Sequence, residues 1–267
     1  MVIDISAHFT FELNGPTDIL LQYEAAELPE QSILSTNSQF DTSDYFARVA
    51  AQDSIGTRIW MRKDGHCEVD YKARVAIHRI TADLSTLDMM EQHKLPGETI
   101  QYLFDSRYCP AERFHSFVET QFGDLTGGAK IVAMRDWVAE NMSYEPGSSN
   151  ANTTALDSFV ERRGICRDYA HVIVTMARAC GFPARYVSVY APDVSPPDFH
   201  AIAEVFLADP DDSGSGTWHM VDGTFMADPS KTVKIGVGRD AADVSFLTSF
   251  GLCNFKEKTV TTEVFSD

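Results

Sequence analysis

The chain has 267 residues, 44% hydrophobic and 23% charged, an ordinary balance for a soluble globular protein with one or two cores. Its net charge of −17, from 22 Lys and Arg against 39 Asp and Glu, argues against a nucleic-acid or membrane partner, which would want a basic face. The five cysteines (67, 109, 166, 180, 253) are odd in number and show no CxxC spacing, which disfavours a disulfide framework or a structural zinc site.

The first residues, Met1-Val2-Ile3-Asp4-Ile5-Ser6, have no basic n-region and no long apolar core. No window approaches a membrane span, so a cytoplasmic location is the expectation, and it would keep thiols reduced. Residues 1 to about 85 read as β. The stretches 8–13 and 19–24 flank Asn14-Gly15-Pro16-Thr17-Asp18, a strong turn signal. The stretches 58–62 and 67–78 supply further strands around Lys63-Asp64-Gly65-His66. Several strands joined by short polar turns suggest a small antiparallel sandwich or barrel. Cys67 beside His66 lacks further ligands and reads as a surface turn.

From Leu87 onward the character changes. Residues 99–103 lead into the loop Ser106-Arg107-Tyr108-Cys109-Pro110, then a helical stretch through Phe114 and Phe117. Gly127-Gly128 opens a helix over 129–142 whose apolar face carries Ile131, Met134, Val138 and Met142, with Trp137 extending it as core. A polar loop spans 145–152, and Thr154 caps the next helix with Asp157 three residues on. The change of character divides the chain into a β domain over 1–90 and a second domain over 91–267, the boundary falling between 85 and 105.

Next comes Arg162-Arg163-Gly164-Ile165-Cys166-Arg167-Asp168-Tyr169-Ala170-His171. Gly164 is expected to take the backbone conformation that ends the helix over 154–163. Apolar residues at 165, 169, 172, 173, 176, 177 and 180 keep a helical rhythm, which Gly181 and Pro183 stop. Cys166 therefore opens a helix, where free N–H groups and the dipole favour a thiolate, and Arg163 and Arg167 flank it. Cys180, on the apolar face of the last turn, reads as core. On this stretch alone, a reactive Cys166 and a merely buried one both stay open.

Beyond this helix the pattern is extended again. Residues 185–190 form a strand, and 191–198, with three prolines, a loop. A strand begins at His200, an acidic connection spans 209–216, and a returning strand over 218–222 ends at Asp222. The acidic connection lacks the glutamate and spacing of an EF-hand, so it reads as a solvated hairpin loop. Gly236-Val237-Gly238 has too little after it for a nucleotide loop. Residues 259–265 alternate and are expected to close the sheet.

If the strands at 200 and 222 pair as a hairpin, His200 and Asp222 become neighbours at one edge, and a helix packed there brings Cys166 to the imidazole. That supplies a nucleophile, a base and an orienting carboxylate, with the Cys166 N–H aimed at a developing oxyanion. His219 rivals His200 as the base, and Asp228 rivals Asp222 as the orienting group. His171 and Asp168 read as structural, Asp168 through the helix dipole.

These ordered pieces resemble the transglutaminase-like superfamily. The resemblance rests on Gly164-Ile165-Cys166-Arg167-Asp168, Pro183-Ala184-Arg185-Tyr186-Val187, His200-Ala201-Ile202-Ala203-Glu204-Val205 and Trp218-His219-Met220-Val221-Asp222. Arg107-Tyr108-Cys109-Pro110, Thr153-Thr154-Ala155 and Gly238-Arg239-Asp240-Ala241 resemble segments of its bacterial branch, whose members carry a β domain ahead of the core. By motif the similarity covers about residues 99–250.

It implies an α+β fold, a papain-like core behind an N-terminal β-sandwich-like domain, and a Cys-His-Asp triad at Cys166, His200 and Asp222. Two departures stand out: the family's Asp-Pro-Thr is Asp222-Gly223-Thr224 here, and the calcium sites of the animal enzymes have no counterpart, so no metal or cofactor is implied.

The expected function is thiol-dependent acyl transfer or hydrolysis on amides of a peptide or protein substrate, peptidase-like rather than cross-linking. Its competitors are a catalytically silent binding module of the same fold and a zinc site made from the same three side chains. Oligomeric state is left open.

Overall fold

The computed structural model describes residues 1–209 and 214–265. Its strands in chain order are β1 (Val2–Leu21), β2 (Gln31–Phe40), β3 (Tyr45–Ala50), β4 (Thr57–Ile77), β5 (Ser143–Tyr144), β6 (Arg163–Gly164), β7 (Ala184–Tyr190), β8 (His200–Ala208), β9 (Gly216–Val221), β10 (Val233–Gly238), β11 (Leu247–Ser249) and β12 (Cys253–Val264). The helices are α1 (His115–Phe122), α2 (Gly127–Asn141), α3 (Ala155–Glu161) and α4 (Cys166–Ala179). This is the mixed α and β fold that the sequence leads one to expect.

Two long strands organise the first sheet. Along β1 the buried Ile3, Ile5, Ala7, Phe9, Phe11 and Leu13 alternate with more exposed neighbours, the period-two pattern of a strand with one face covered. β1 pairs antiparallel with β4 from Val2 opposite Ala76 to Leu21 opposite Ile59. β2 and β3 line the other edge of β4, and β11 and β12 the other edge of β1.

Three expectations are corrected here. Residues 14–18 do not turn the chain back. The ladder slips between Leu13 and Thr17, and the strand continues. Gly65 (φ +70°) lies opposite Leu13 at the edge of this slip, Gly15 (φ +97°) lies within it, and the Gly15 N–H donates to the Asp64 carboxylate at 3.1 Å. A left-handed glycine followed by proline suits a bulge as well as a hairpin, and here it accompanies a shift of register between β1 and β4. The first 85 residues therefore form no sandwich or barrel of their own, but most of a single six-stranded sheet that needs residues 247–264. The alternating stretch after residue 259 closes this sheet, Ile3 lying opposite Val264, rather than the sheet that carries His200. The last part of the 91–267 segment thus belongs structurally with the first.

The second sheet has the order β10-β7-β8-β9, all antiparallel. Every residue of β7 and β10 is buried because both faces are covered. On one face Tyr190, Val233 and Ile235 join the apolar face of the large sheet. Two polar links fix that contact: the Tyr190 hydroxyl donates to the Tyr23 carbonyl at 2.7 Å, and the buried Gln31 amide bonds both the N–H and the carbonyl of Lys234, each at 2.8 Å. On the other face Ala184, Ala203, Val205 and Val221 pack with Val172, Ile173, Met176 and Ala177 of α4. α2 closes the far side of α4 with Ile131, Met134 and Val138. Residues 210–213 of the acidic connection lie outside the described residues.

Candidate active site

Cys166 is the first residue of α4, as its helical rhythm requires, and Ile165 before it is extended. The Ile165 N–H donates to Asp168 Oδ2 at 2.9 Å, and the Arg167 guanidinium holds Oδ1 at 2.9 Å. Asp168 is fully buried, so it is a structural cap that folds the incoming loop onto the first turn. Gly164 serves this close approach: a Cβ there would come 2.6 Å from the Asp168 Cβ. The left-handed residue that ends α3 is instead Arg162 (φ +58°, ψ +32°), against the expectation for Gly164. The capping box of α3, Thr154 with Asp157, forms as its sequence suggests.

The β8–β9 hairpin pairs Ala203 with Val221, which puts the start of β8 beside the residue after β9. His200 Nε2 lies 3.0 Å from Asp222 Oδ2. Both residues are nearly inaccessible, at 2% and 7% exposure. The turn after Asp222 closes over its carboxylate: Oδ1 accepts from the Thr224 N–H and hydroxyl at 2.8 Å each, and Oδ2 accepts from the N–H groups of Met226 and Ala227 at 3.0 and 2.8 Å. Gly223, where the family has proline, packs against the helices: a Cβ would stand 2.8 Å from Ile173 Cδ1 and 3.2 Å from Val138 Cγ1. The departure at this position leaves the grip on Asp222 in place.

Burial works against both charges. It would raise the Asp222 carboxyl, but the His200 hydrogen bond, the His200 charge and the N–H groups of the turn bring it below the usual range. It would lower the His200 imidazole, but the Asp222 hydrogen bond, then the neighbouring Cys166 sulfur, lift it to about 10. Nδ1 of His200 is buried and has no hydrogen-bond partner. One ring nitrogen is thus committed to the carboxylate and the other has no partner, while the Cys166 side chain that acts on this imidazole packs among Ala170, Tyr186, Ala201 and Val244.

The rival residues fall elsewhere. His219 bonds Thr217 through Nε2 at 2.9 Å, on the β9 rung opposite Val205. Asp228 caps its own turn by accepting from the Ser230 N–H and hydroxyl. His171 is fully buried, accepts the Ala241 N–H at 3.1 Å and stacks on Tyr108, and burial pushes it down to about 3. Cys180 is half-buried at the end of α4, and Cys67, read from the sequence as part of a surface turn, is instead a buried residue of β4 whose side chain joins the core.

One neighbour of the site has no motif to announce it. Tyr144 forms a parallel bridge with Gly164 through β5 and β6, which sets it beside Cys166. Burial and then the charge of Cys166 push its hydroxyl up to about 12. The only hint in the sequence is a lone aromatic between the end of α2 and the polar loop.

Residues 114–223 match the family model of the transglutaminase-like superfamily. An uncharacterized protein of Mycobacterium leprae is 30% identical over 124 residues, 43% of this chain and 42% of its own length. An uncharacterized protein of Mycobacterium tuberculosis H37Rv is 29% identical over 148 residues, 50% of this chain and 46% of its own length. The similarity thus spans less than half the length of these curated relatives. The solved structure of a candidate cysteine protease from Cytophaga hutchinsonii superposes with a TM-score of 0.90 at 28% identity, covering 100% of this chain and 92% of that one. The matched segment is a transglutaminase-like domain, and it holds the helix that begins at Cys166 and the hairpin that joins His200 to Asp222.

Proposed function

We propose that the chain is a thiol enzyme acting on amide bonds of peptides or proteins, with Cys166 as nucleophile, His200 as acid and base, and Asp222 as the group that orients His200. The observation that carries this reading is the division of labour on the His200 ring: Nε2 bonds Asp222 at 3.0 Å, and the buried Nδ1 is free for the sulfur. The thiol proton passes to Nδ1, leaving a thiolate beside an imidazolium that Asp222 steadies. The sulfur attacks the amide carbonyl, and a carbon–sulfur bond forms as the carbonyl oxygen becomes anionic. The Cys166 N–H, in the first turn of α4, faces the place where that charge develops. The imidazolium then protonates the nitrogen as the carbon–nitrogen bond breaks, giving a free amine and a thioester. Water, deprotonated by the now neutral ring, resolves the thioester in a hydrolase, whereas a primary amine resolves it in a transferase.

Hydrolysis is the favoured outcome, supported by the full-length likeness to a candidate cysteine protease. Incubating the protein with a peptide library, with and without a primary amine, separates the outcomes by mass. Cleaved peptides or deamidated glutamines support hydrolysis, amine adducts support transfer, and unchanged peptides across the library support a silent module of the same fold.

A further inference from the structure

The outer face of the large sheet carries a cluster unconnected with the triad. The register places Asp70 of β4 directly opposite His8 of β1, and Glu68 of β4 and Glu257 of β12 on either side of the next outward residue, Thr10. His8 Nδ1 lies 3.0 Å from Asp70 Oδ1 and 4.0 Å from Glu68 Oε1, and Nε2 lies 3.9 Å from Glu257 Oε1. One donor atom from each of His8, Glu68 and Asp70 falls within 4.8 Å of the other two. Among the described residues, the ion pairs of Glu68, Asp70 and Glu257 all go to histidine: His8, and for Glu68 also His66. Glu68 and Asp70 stand two apart on one strand and face the same side, so two negative charges are held together with no Lys or Arg bridging them.

We infer that His8, Glu68 and Asp70 form a binding site for a divalent transition-metal ion of the zinc class, which ties β1 to β4. At ligand bonds of about 2.0–2.2 Å, the donors of a tetrahedral set stand about 3.3–3.6 Å apart. The observed 3.0 and 4.0 Å bracket that spacing, so small rotations of exposed side chains close the set around an ion. One imidazole nitrogen with two carboxylates suits zinc better than calcium or magnesium, which want oxygen alone. With Nδ1 on the ion, Glu257, 3.9 Å from the other ring nitrogen, needs only a small side-chain rotation to orient it as a carboxylate orients a metal-bound histidine. An ion also relieves the repulsion between Glu68 and Asp70. The open face of the sheet gives it a way in and leaves a fourth position to water.

The test is calorimetric titration of zinc chloride into the full-length, untagged chain carrying Cys166→Ser, which removes the triad's thiol. We expect one zinc ion per chain and a raised thermal midpoint. His8→Ala and, separately, Asp70→Asn should weaken binding by about tenfold or more. His219→Ala, on the other sheet, should leave it unchanged. All three positions are at least partly solvent-accessible, and the metal-free thermal midpoint of each variant reads out folding separately from binding. Absence of saturable binding, or binding that His8→Ala leaves intact, overturns the assignment whatever the fate of the proposed thiol chemistry.

Discussion

Asp222 holds His200 with one carboxylate oxygen while the turn that follows holds both oxygens of Asp222. Oδ2 receives the imidazole at 3.0 Å together with the N–H groups of Met226 and Ala227, and Oδ1 receives Thr224 twice. A carboxylate with its lone pairs so occupied is held in place, and it holds the ring bonded to it. In the proposed mechanism this keeps Nδ1 toward the cysteine, so the positioning of His200 rests on the five residues after Asp222 as much as on Asp222 itself.

Thr224→Val keeps the shape of that turn and removes the hydroxyl that donates to Asp222. A hydrogen bond to a charged group is worth about 1.5–3 kcal/mol, so kcat/KM on a cleaved peptide should fall about tenfold or somewhat more. The thermal midpoint should fall as well, because the same hydrogen bond contributes to stability, while the Thr224 backbone N–H keeps its contact with the carboxylate. Unchanged kcat/KM would remove Thr224 from the account.

Gly164→Ala should displace the turn that presents the thiol. The new Cβ meets Asp168 Cβ at 2.6 Å, close to the backbone, where no flexible chain end can move aside. Overpacking of this kind costs about 1–3 kcal/mol. We expect a lowered thermal midpoint together with slower alkylation of Cys166, and full stability in this variant would show that the approach of residue 164 to Asp168 is not constrained.

The candidate site of this chain is more legible in its sequence than the pairing of its strands. Cys166, His200 and Asp222 sit where secondary structure begins and ends, and helical rhythm, alternation and Gly-Pro punctuation report such ends well. Asn14-Gly15-Pro16 is ambiguous because a left-handed glycine before proline satisfies a bulge and a hairpin equally, and only the pairing with β4 on both sides of it decides between them. The pairing of β12 with β1 is a contact between opposite ends of the chain, which no local pattern encodes. Tyr144 escaped notice for the same reason: a two-residue parallel bridge to Gly164, rather than a motif, brings it to the sulfur.

The buried network under β7 and β8 gives a test of stability. Glu204 is 1% exposed and bonds Lys234 Nζ at 2.6 Å and Arg185 Nη2 at 2.8 Å. Burial raises its carboxyl, but the two cations more than offset this and bring it from 4.5 down to about 2. A depressed carboxylate adds stability that is complete above about pH 4.5 and is lost as pH falls through about 2. Glu204→Gln leaves two buried cations without their shared partner and should cost about 3–5 kcal/mol at neutral pH. Denaturant melts at several pH values should show the gap between parent and variant closing below pH 4.5. A constant gap down to pH 2 would contradict this.

The central claim, that Cys166 and His200 act as one unit, is tested most directly by iodoacetamide labelling followed by peptide mass mapping at neutral pH. His200, lifted to about 10, carries its proton there and can pair with the thiolate. The account predicts that Cys166 labels well ahead of Cys67, Cys109, Cys180 and Cys253, and that His200→Ala slows it by about tenfold or more while the other four are unaffected. Slow labelling of Cys166 at the pace of the other cysteines, or a rate that His200→Ala leaves unchanged, would contradict it.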